Sequence, residues 1–215
     1  MTAIIKDVPS EVYWSIVDEL ERIEGGRLPP GVDIRVSGEG PIWRSAAPVL
    51  ISTLVRSLYL AMPLIFLVTA LAFRSVRLGL ISMLPNLLPL TIGLGLLWPL
   101  GISLRFSTIT AFPIAFGLAV DDTIHFLNRY RSESAAGKTR EQAVRATIMT
   151  TGQPILLTSV LLIAGFSVLL LSNFLGMVHV AVLDCIILTM ALFGDLLLLP
   201  ALLLLFGPDG DEPLR

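Results

Sequence analysis

Five apolar stretches, at roughly residues 50–73, 78–98, 106–127, 154–172 and 177–206, constrain this chain more than any other feature. Each is near or above the ~20 residues that a helix needs to cross about 30 Å of hydrocarbon. Lipid offers no partners to backbone N–H and C=O groups, so spans of this length must be helices that satisfy their own backbone. Composition agrees, with 54% hydrophobic and 15% charged residues, where a soluble domain carries about 25% charged. Pro63, Pro85, Pro89 and Pro113, with Gly93, Gly95 and Gly165, interrupt the spans, as is common in membrane helices. The expected architecture is an all-α polytopic membrane bundle of five transmembrane helices over 46–206. A short N-terminal α+β stub (1–45) precedes it and a tail (207–215) follows. A net charge of −2 gives no reason to expect nucleic acid as a partner, and the single cysteine, Cys185, excludes a disulfide within one chain or a cysteine-based metal site. No metal or organic cofactor is implied.

Basic residues orient the spans. Arg74 and Arg77 lie between the first two spans, and Arg129, Arg131, Lys138, Arg140 and Arg145 lie between the third and fourth; the opposite loops hold Arg105 and His179. By the positive-inside rule the richer loops are cytoplasmic, which puts the N-terminal segment outside and the tail GPDGDEPLR inside. Residues 1–45 read differently. TAIIKD has strand composition, Ser10–Glu24 carries Val12, Ile16, Leu20 and Ile23 at helical spacing, GGRLPPG breaks the chain, and VDIRVSG alternates like a strand. A strand–helix–strand unit of this size has too little apolar surface for a core of its own. No signal peptide precedes it, so the expectation is that the chain is the end of something longer.

Function is written in the third span, TITAFPIAFGLAVDDTIHFL, where Asp121 and Asp122 stand side by side among lipid-compatible residues. A charge at the bilayer centre costs about 2.5–3.5 kcal/mol on insertion scales, so an intramembrane acid is by default a hypothesis about ion or proton movement. Poor hydration and an adjacent like charge both act against the ionised form, so the doublet is suited to bind and release a proton near neutral pH. Gly117 lies one turn before Asp121, where the missing side chain would let another helix or water come close. His125 borders both acids and suits a proton-uptake group or an interfacial polar residue. The bland alternative for the doublet is hydrogen-bonded helix glue, for which one acid would suffice.

Other polar residues carry weaker signals. Thr158 and Ser159 in the fourth span can bond a carboxyl on a neighbouring helix or fold back on their own carbonyls. Asp184 and Asp195 in the last span are eleven residues apart, about three helical turns, so they share a face and are expected to support or pack rather than to couple directly. Arg56 reads as a snorkelling residue. Residues 133–152 read as a cytoplasmic amphipathic connector helix.

These pieces together resemble a known family. Gly117-x-x-x-Asp121-Asp122 running into Thr-Ile-His-Phe-Leu-x-Arg-Tyr-Arg, Met83-Leu-Pro-Asn-Leu-Leu-Pro, Thr151-Gly-x-Pro-Ile-x-x-Thr158-Ser159 and Asp195-Leu-Leu-Leu-Leu-Pro-Ala are similar to the resistance–nodulation–division (RND) superfamily. The branch is the MMPL and hopanoid-exporter type, related to Patched-like and sterol-sensing proteins. The resemblance implies two repeats of six helices, each with a large extracytoplasmic porter domain after its first helix. The five spans then match the last five helices of the second repeat, and 1–45 the end of its porter domain. It also implies that Asp121 and Asp122 relay protons, with Thr158 and Ser159 as the polar pair on the next helix, to drive lipids or other hydrophobic molecules outward across the cell inner membrane. Such an exporter needs a first repeat or another transporter chain as partner.

Two rival functions follow from the same residues. A sterol- or lipid-sensing module would use this bundle without pumping, but needs no titrating acids. An intramembrane aspartyl protease would need Gly-x-Gly-Asp and Tyr-Asp, where Leu192 and Val120 stand instead. The expected function is therefore transport and not catalysis.

Overall fold

The computed structural model describes residues 10–24, 39–102 and 105–208. The chain divides into two compact units, Met1–Pro48 and Val49–Arg215. In the first, α1 spans Ser10–Glu24 as the sequence pattern predicts, with an Arg22–Glu19 ion pair of 2.9 Å on its surface. Val17 of α1 is buried, whereas Ile16 and Ile23 of the expected apolar face are exposed, and the Val12 side chain lies outside the described ones. The strands expected at 2–7 and 32–38 lie outside the described residues, and no strand occurs among the described ones.

The second unit is a helical bundle. After α2 (Glu39–Ala72) come α3 (Val76–Leu97), α4 (Phe106–Ala135), α5 (Arg140–Ser167), α6 (Leu175–Phe193) and α7 (Leu199–Phe206). A wider π-type turn, Gly194–Leu198, joins α6 to α7, so Leu175–Phe206 is one continuous span. Five spans in the described residues are long and apolar enough to cross a membrane: Pro48–Ala72, Val76–Leu97, Ser107–Ala135, Arg140–Leu171 and Leu175–Phe206. Leu161 and Leu197 are more than 60% exposed, and α2 presents Tyr59, Leu64 and Leu71 outward. Apolar side chains on the outside match a hydrocarbon solvent and not water.

Two boundaries differ from the sequence reading. The third span continues to Ala135, and α5 begins at Arg140, so residues 133–152 are the end of one helix and the start of the next, with no separate connector. The stop is a turn in which Gly137 has φ +79, the left-handed conformation that glycine takes at no steric cost. The start is a capping box: Thr139 accepts from the Gln142 N–H, and the Gln142 side chain accepts from the Thr139 N–H. In the last turns of α4, Glu133 holds Arg129 at 2.5 Å and pairs with Lys138. Basic side chains also close exposed carbonyls at helix ends, Arg131 on Ala72 at 3.0 Å and Arg140 on Leu204 at 3.1 Å.

The most extensive packing is that of α4 on α6 and on α5, followed by that of α6 on α5 and on α3. Two apolar clusters result. One gathers Leu90, Phe112, Phe116, Val120, Leu183, Ile187 and Leu188 toward the α3–α4 loop, with Leu58, Met62 and Ile65 of α2 leaning on it. The other gathers Phe73, Leu78, Phe126, Tyr130, Ile155, Leu199 and Leu203 toward the α2–α3 and α4–α5 turns.

Candidate functional site

Between the two clusters, four helices each place a polar residue. On α3 it is Asn86, between Ile81 of one cluster and Leu90 of the other; on α4, Thr123, between Val120 and Phe126; on α5, Ser159, between Ile155 and Leu162; on the last span, Asp195, between Leu188 and Leu199. All four are at most 4% exposed. The result is a polar layer sealed from both ends by apolar packing.

Thr123 is the hub of this layer. Its hydroxyl oxygen lies 2.5 Å from Asp195 Oδ1 and 3.4 Å from Asn86 Oδ1, while Asn86 Nδ2 donates to the Ser82 carbonyl at 2.7 Å. A threonine hydroxyl has one proton to give. When Asp195 is ionised, Thr123 donates to it; when Asp195 is protonated and donates to Thr123, the threonine proton turns to Asn86. The trio therefore has two self-consistent hydrogen-bond patterns that differ by one proton on Asp195. Asp122, next to Thr123, is half-buried and within reach of the Ser159 hydroxyl and of the field of Asp195.

Local backbone chemistry explains why Asp195 sits here. Pro89 has no N–H, so the Pro85 carbonyl one turn earlier has no helical donor. Gly194 packs against that carbonyl: a Cβ at 194 would stand 2.9 Å from the Pro85 oxygen. Only glycine permits this approach of the last span to α3. The π-type turn that begins at Gly194 is a feature that recurs at functional sites.

The expected site residues divide. Adjacent helical positions point about 100° apart, and the acid doublet splits accordingly. Asp122 faces the polar layer, whereas Asp121 lies on the open face of α4 beside His125, Oδ1 to Nε2 3.6 Å, with both side chains about 70% exposed. Gly117 lies on that same open face, and nothing in the described residues comes within 4 Å of a Cβ built on it. Among the described residues no helix makes the close approach expected at Gly117, whereas Gly194 makes one. Thr158 is exposed and bonds back to Pro154 and Ile155 carbonyls of its own helix at 3.1 and 3.0 Å, so of the pair only Ser159 enters the layer. Asp184 and Asp195 are both buried. Asn86 and Thr123 are the residues that sequence reasoning missed. A polar side chain on each of two apolar helices was the available signal.

A cavity of about 310 Å³ opens between α2, α3 and α4, lined by Leu58, Met62, Leu87, Leu94, Ile109 and Phe112 among others. Its walls are almost wholly apolar, which suits an acyl chain or another hydrophobic body.

The MMPL family profile matches residues 9–213. The chain is 28% identical over 210 residues to the trehalose monomycolate exporter MmpL3 of Mycolicibacterium smegmatis, covering 93% of this chain and 19% of that protein. It is 25% identical over 186 residues to the hopanoid transporter HpnN of Burkholderia multivorans (85% and 21%). It is 25% identical over 179 residues to the mycolic acid-containing lipids exporter MmpL11 of Mycolicibacterium smegmatis (82% and 19%). The chain thus spans about a fifth of the length of these relatives.

Proposed function

Because the chain belongs to the MMPL family of RND-type membrane transport proteins, we propose that it is the C-terminal part of a proton-motive-force-driven exporter of lipids or other hydrophobic compounds. The relatives named for export of trehalose monomycolate and for transport of hopanoids support the lipid substrate, as does the apolar cavity between α2, α3 and α4. The observation that carries the coupling is the sealed polar layer, in which a buried acid, Asp195, shares a single threonine proton with Asn86.

In this reading Asp122 and Asp121 carry the proton, Ser159 and Thr123 hand it on, and His125 exchanges it with the cytoplasmic side. Loading a proton on Asp195 removes a charge from a low-dielectric interior, where charge is costly. It also turns the Thr123 hydroxyl from Asp195 on the last span toward Asn86 on α3. The relative positions of α3, α4 and α6 then have two preferred arrangements, and a gradient that loads on one side and unloads on the other cycles between them. The open face bearing Gly117, Asp121 and His125 is where a helix of the remaining transporter, the first repeat or another chain, would close the site. By the positive-inside rule the basic loops support an orientation in the cell inner membrane with the porter-type segment outside and residues 207–215 in the cytoplasm. The proton gradient is the energy source, with no other cofactor.

The test is substrate movement by the assembled exporter in liposomes under an imposed pH gradient. Asp121→Asn with Asp122→Asn abolishes gradient-driven lipid movement while membrane insertion and protein level hold. Movement at the unmodified rate in the double variant would overturn the assignment.

A further inference from the structure

Asp184 has no part in the polar layer, yet it is fully buried, 0% exposed, and neither carboxyl oxygen has a hydrogen-bond partner among the described residues. It stands on α6 three turns, or about 16 Å, before Asp195. Ile187, Leu188 and Ala191, all at most 4% exposed, lie between the two acids. A buried polar group without partners is costly and has no packing rationale, because a leucine would fill the same space with gain. Such a group therefore points to a ligand absent from this conformation.

We propose that Asp184 is a second proton-binding carboxyl of the bundle, a station on the outer side of the Thr123–Asp195 layer. The outer placement rests on the exporter reading and its orientation; the proton binding does not. A proton is the ligand that fits, because the enclosed carboxyl has no second acid, imidazole or amide beside it to share a metal ion. The helices packed on α6 bring no titratable group to its level: residues 78–97 of α3, 106–120 of α4 and 146–171 of α5 and its following turn contain none. Asp121 and Asp122 lie deeper on α4, Arg105 precedes that helix, and on α6 itself the neighbours are His179 and Cys185, whose thiol donates to the Ile163 carbonyl at 3.6 Å. Asp184 takes its proton from water that reaches the outer half of the bundle and is neutral in the closed arrangement. Passage to Asp195 requires the Ile187–Leu188–Ala191 layer to open and admit water.

Infrared spectroscopy of the full chain in liposomes tests the proton directly. The difference between unmodified protein and Asp184→Asn should show the loss of one protonated-carboxyl stretch at neutral pH. A difference showing ionised carboxylate bands across pH 5–9 would overturn the proposal. Asp184→Leu separates this role from a structural one: it should raise Tm by several degrees, whereas a fall in Tm would mark Asp184 as a structural contact and sink the idea. Proton flux in the assembled exporter completes the test. Asp184→Asn should shift the outside-pH dependence of flux, and an unchanged dependence would remove Asp184 from the route. The exporter reading itself stands or falls separately, on the Asp121→Asn with Asp122→Asn variant.

Discussion

Replacing Thr123 by valine removes one hydroxyl from the sealed layer and little else, since the two side chains have nearly the same shape. The hydroxyl lies 2.5 Å from Asp195, a carboxyl that is 2% exposed and so has little water to take its place. A hydrogen bond to a charged acceptor is worth about 1.5–3 kcal/mol, and each 1.4 kcal/mol is a factor of about ten in an equilibrium. Thr123 bonds to both forms, donating to the carboxylate and accepting from the acid, and a neutral hydrogen bond is worth about 0.5–1.5 kcal/mol, so its loss favours the protonated form of Asp195 by the difference, about 1–1.5 kcal/mol or about five- to tenfold. The pH at which the Asp195 carboxyl band converts should therefore rise by up to about one unit. The band is assigned by infrared difference against Asp195→Asn in liposomes. Thr123→Ser keeps the hydroxyl and should titrate near the unmodified protein. An unchanged midpoint in Thr123→Val would refute the hydroxyl as the group that sets the charge state of Asp195.

Three further outcomes are expected. Gly194→Ala puts a methyl 2.9 Å from the Pro85 oxygen and should cost about 1–3 kcal/mol by overpacking, read as a fall in Tm; Gly117→Ala, with open space around it, should leave the Tm of this chain unchanged. Ser159→Ala should slow proton-coupled transport, while Thr158→Ala, which loses only bonds to its own helix, should not; equal effects would dissolve the distinction. Glu133→Gln weakens the clamp on Arg129 and Lys138 and should speed hydrogen exchange at the α4–α5 turn without altering the pH profile of transport.

The membrane helices were legible because their apolar length has one physical solution, and the count of five follows from it. Their ends were less so. A helix continues into water as readily as its backbone bonds and caps allow, so a polar composition did not mark the end of the third span at 127. The Thr139–Gln142 box, present in the sequence, marks the true start of the next helix. The acid doublet was conspicuous, but its split follows from helical geometry: two neighbours about 100° apart cannot both face one interior. The glycines differ in a way that no local pattern shows: Gly117 has open space around it among the described residues, whereas the tertiary placement of the Pro85 carbonyl brings Gly194 into close approach. Asn86 and Thr123 are separated from each other by 37 positions and Thr123 from Asp195 by 72, so their meeting is a property of the packed bundle that no local pattern encodes.

The central claim, that carboxyls in the sealed layer exchange protons as lipid moves, is tested most directly by proton flux into liposomes holding the assembled exporter, a trapped pH-sensitive dye and a lipid substrate. The account predicts proton movement that accompanies lipid transfer and that Asp122→Asn or Asp195→Asn eliminates together with it. Lipid transfer that continues at full rate in those variants, or after an uncoupler has collapsed the gradient, would contradict it.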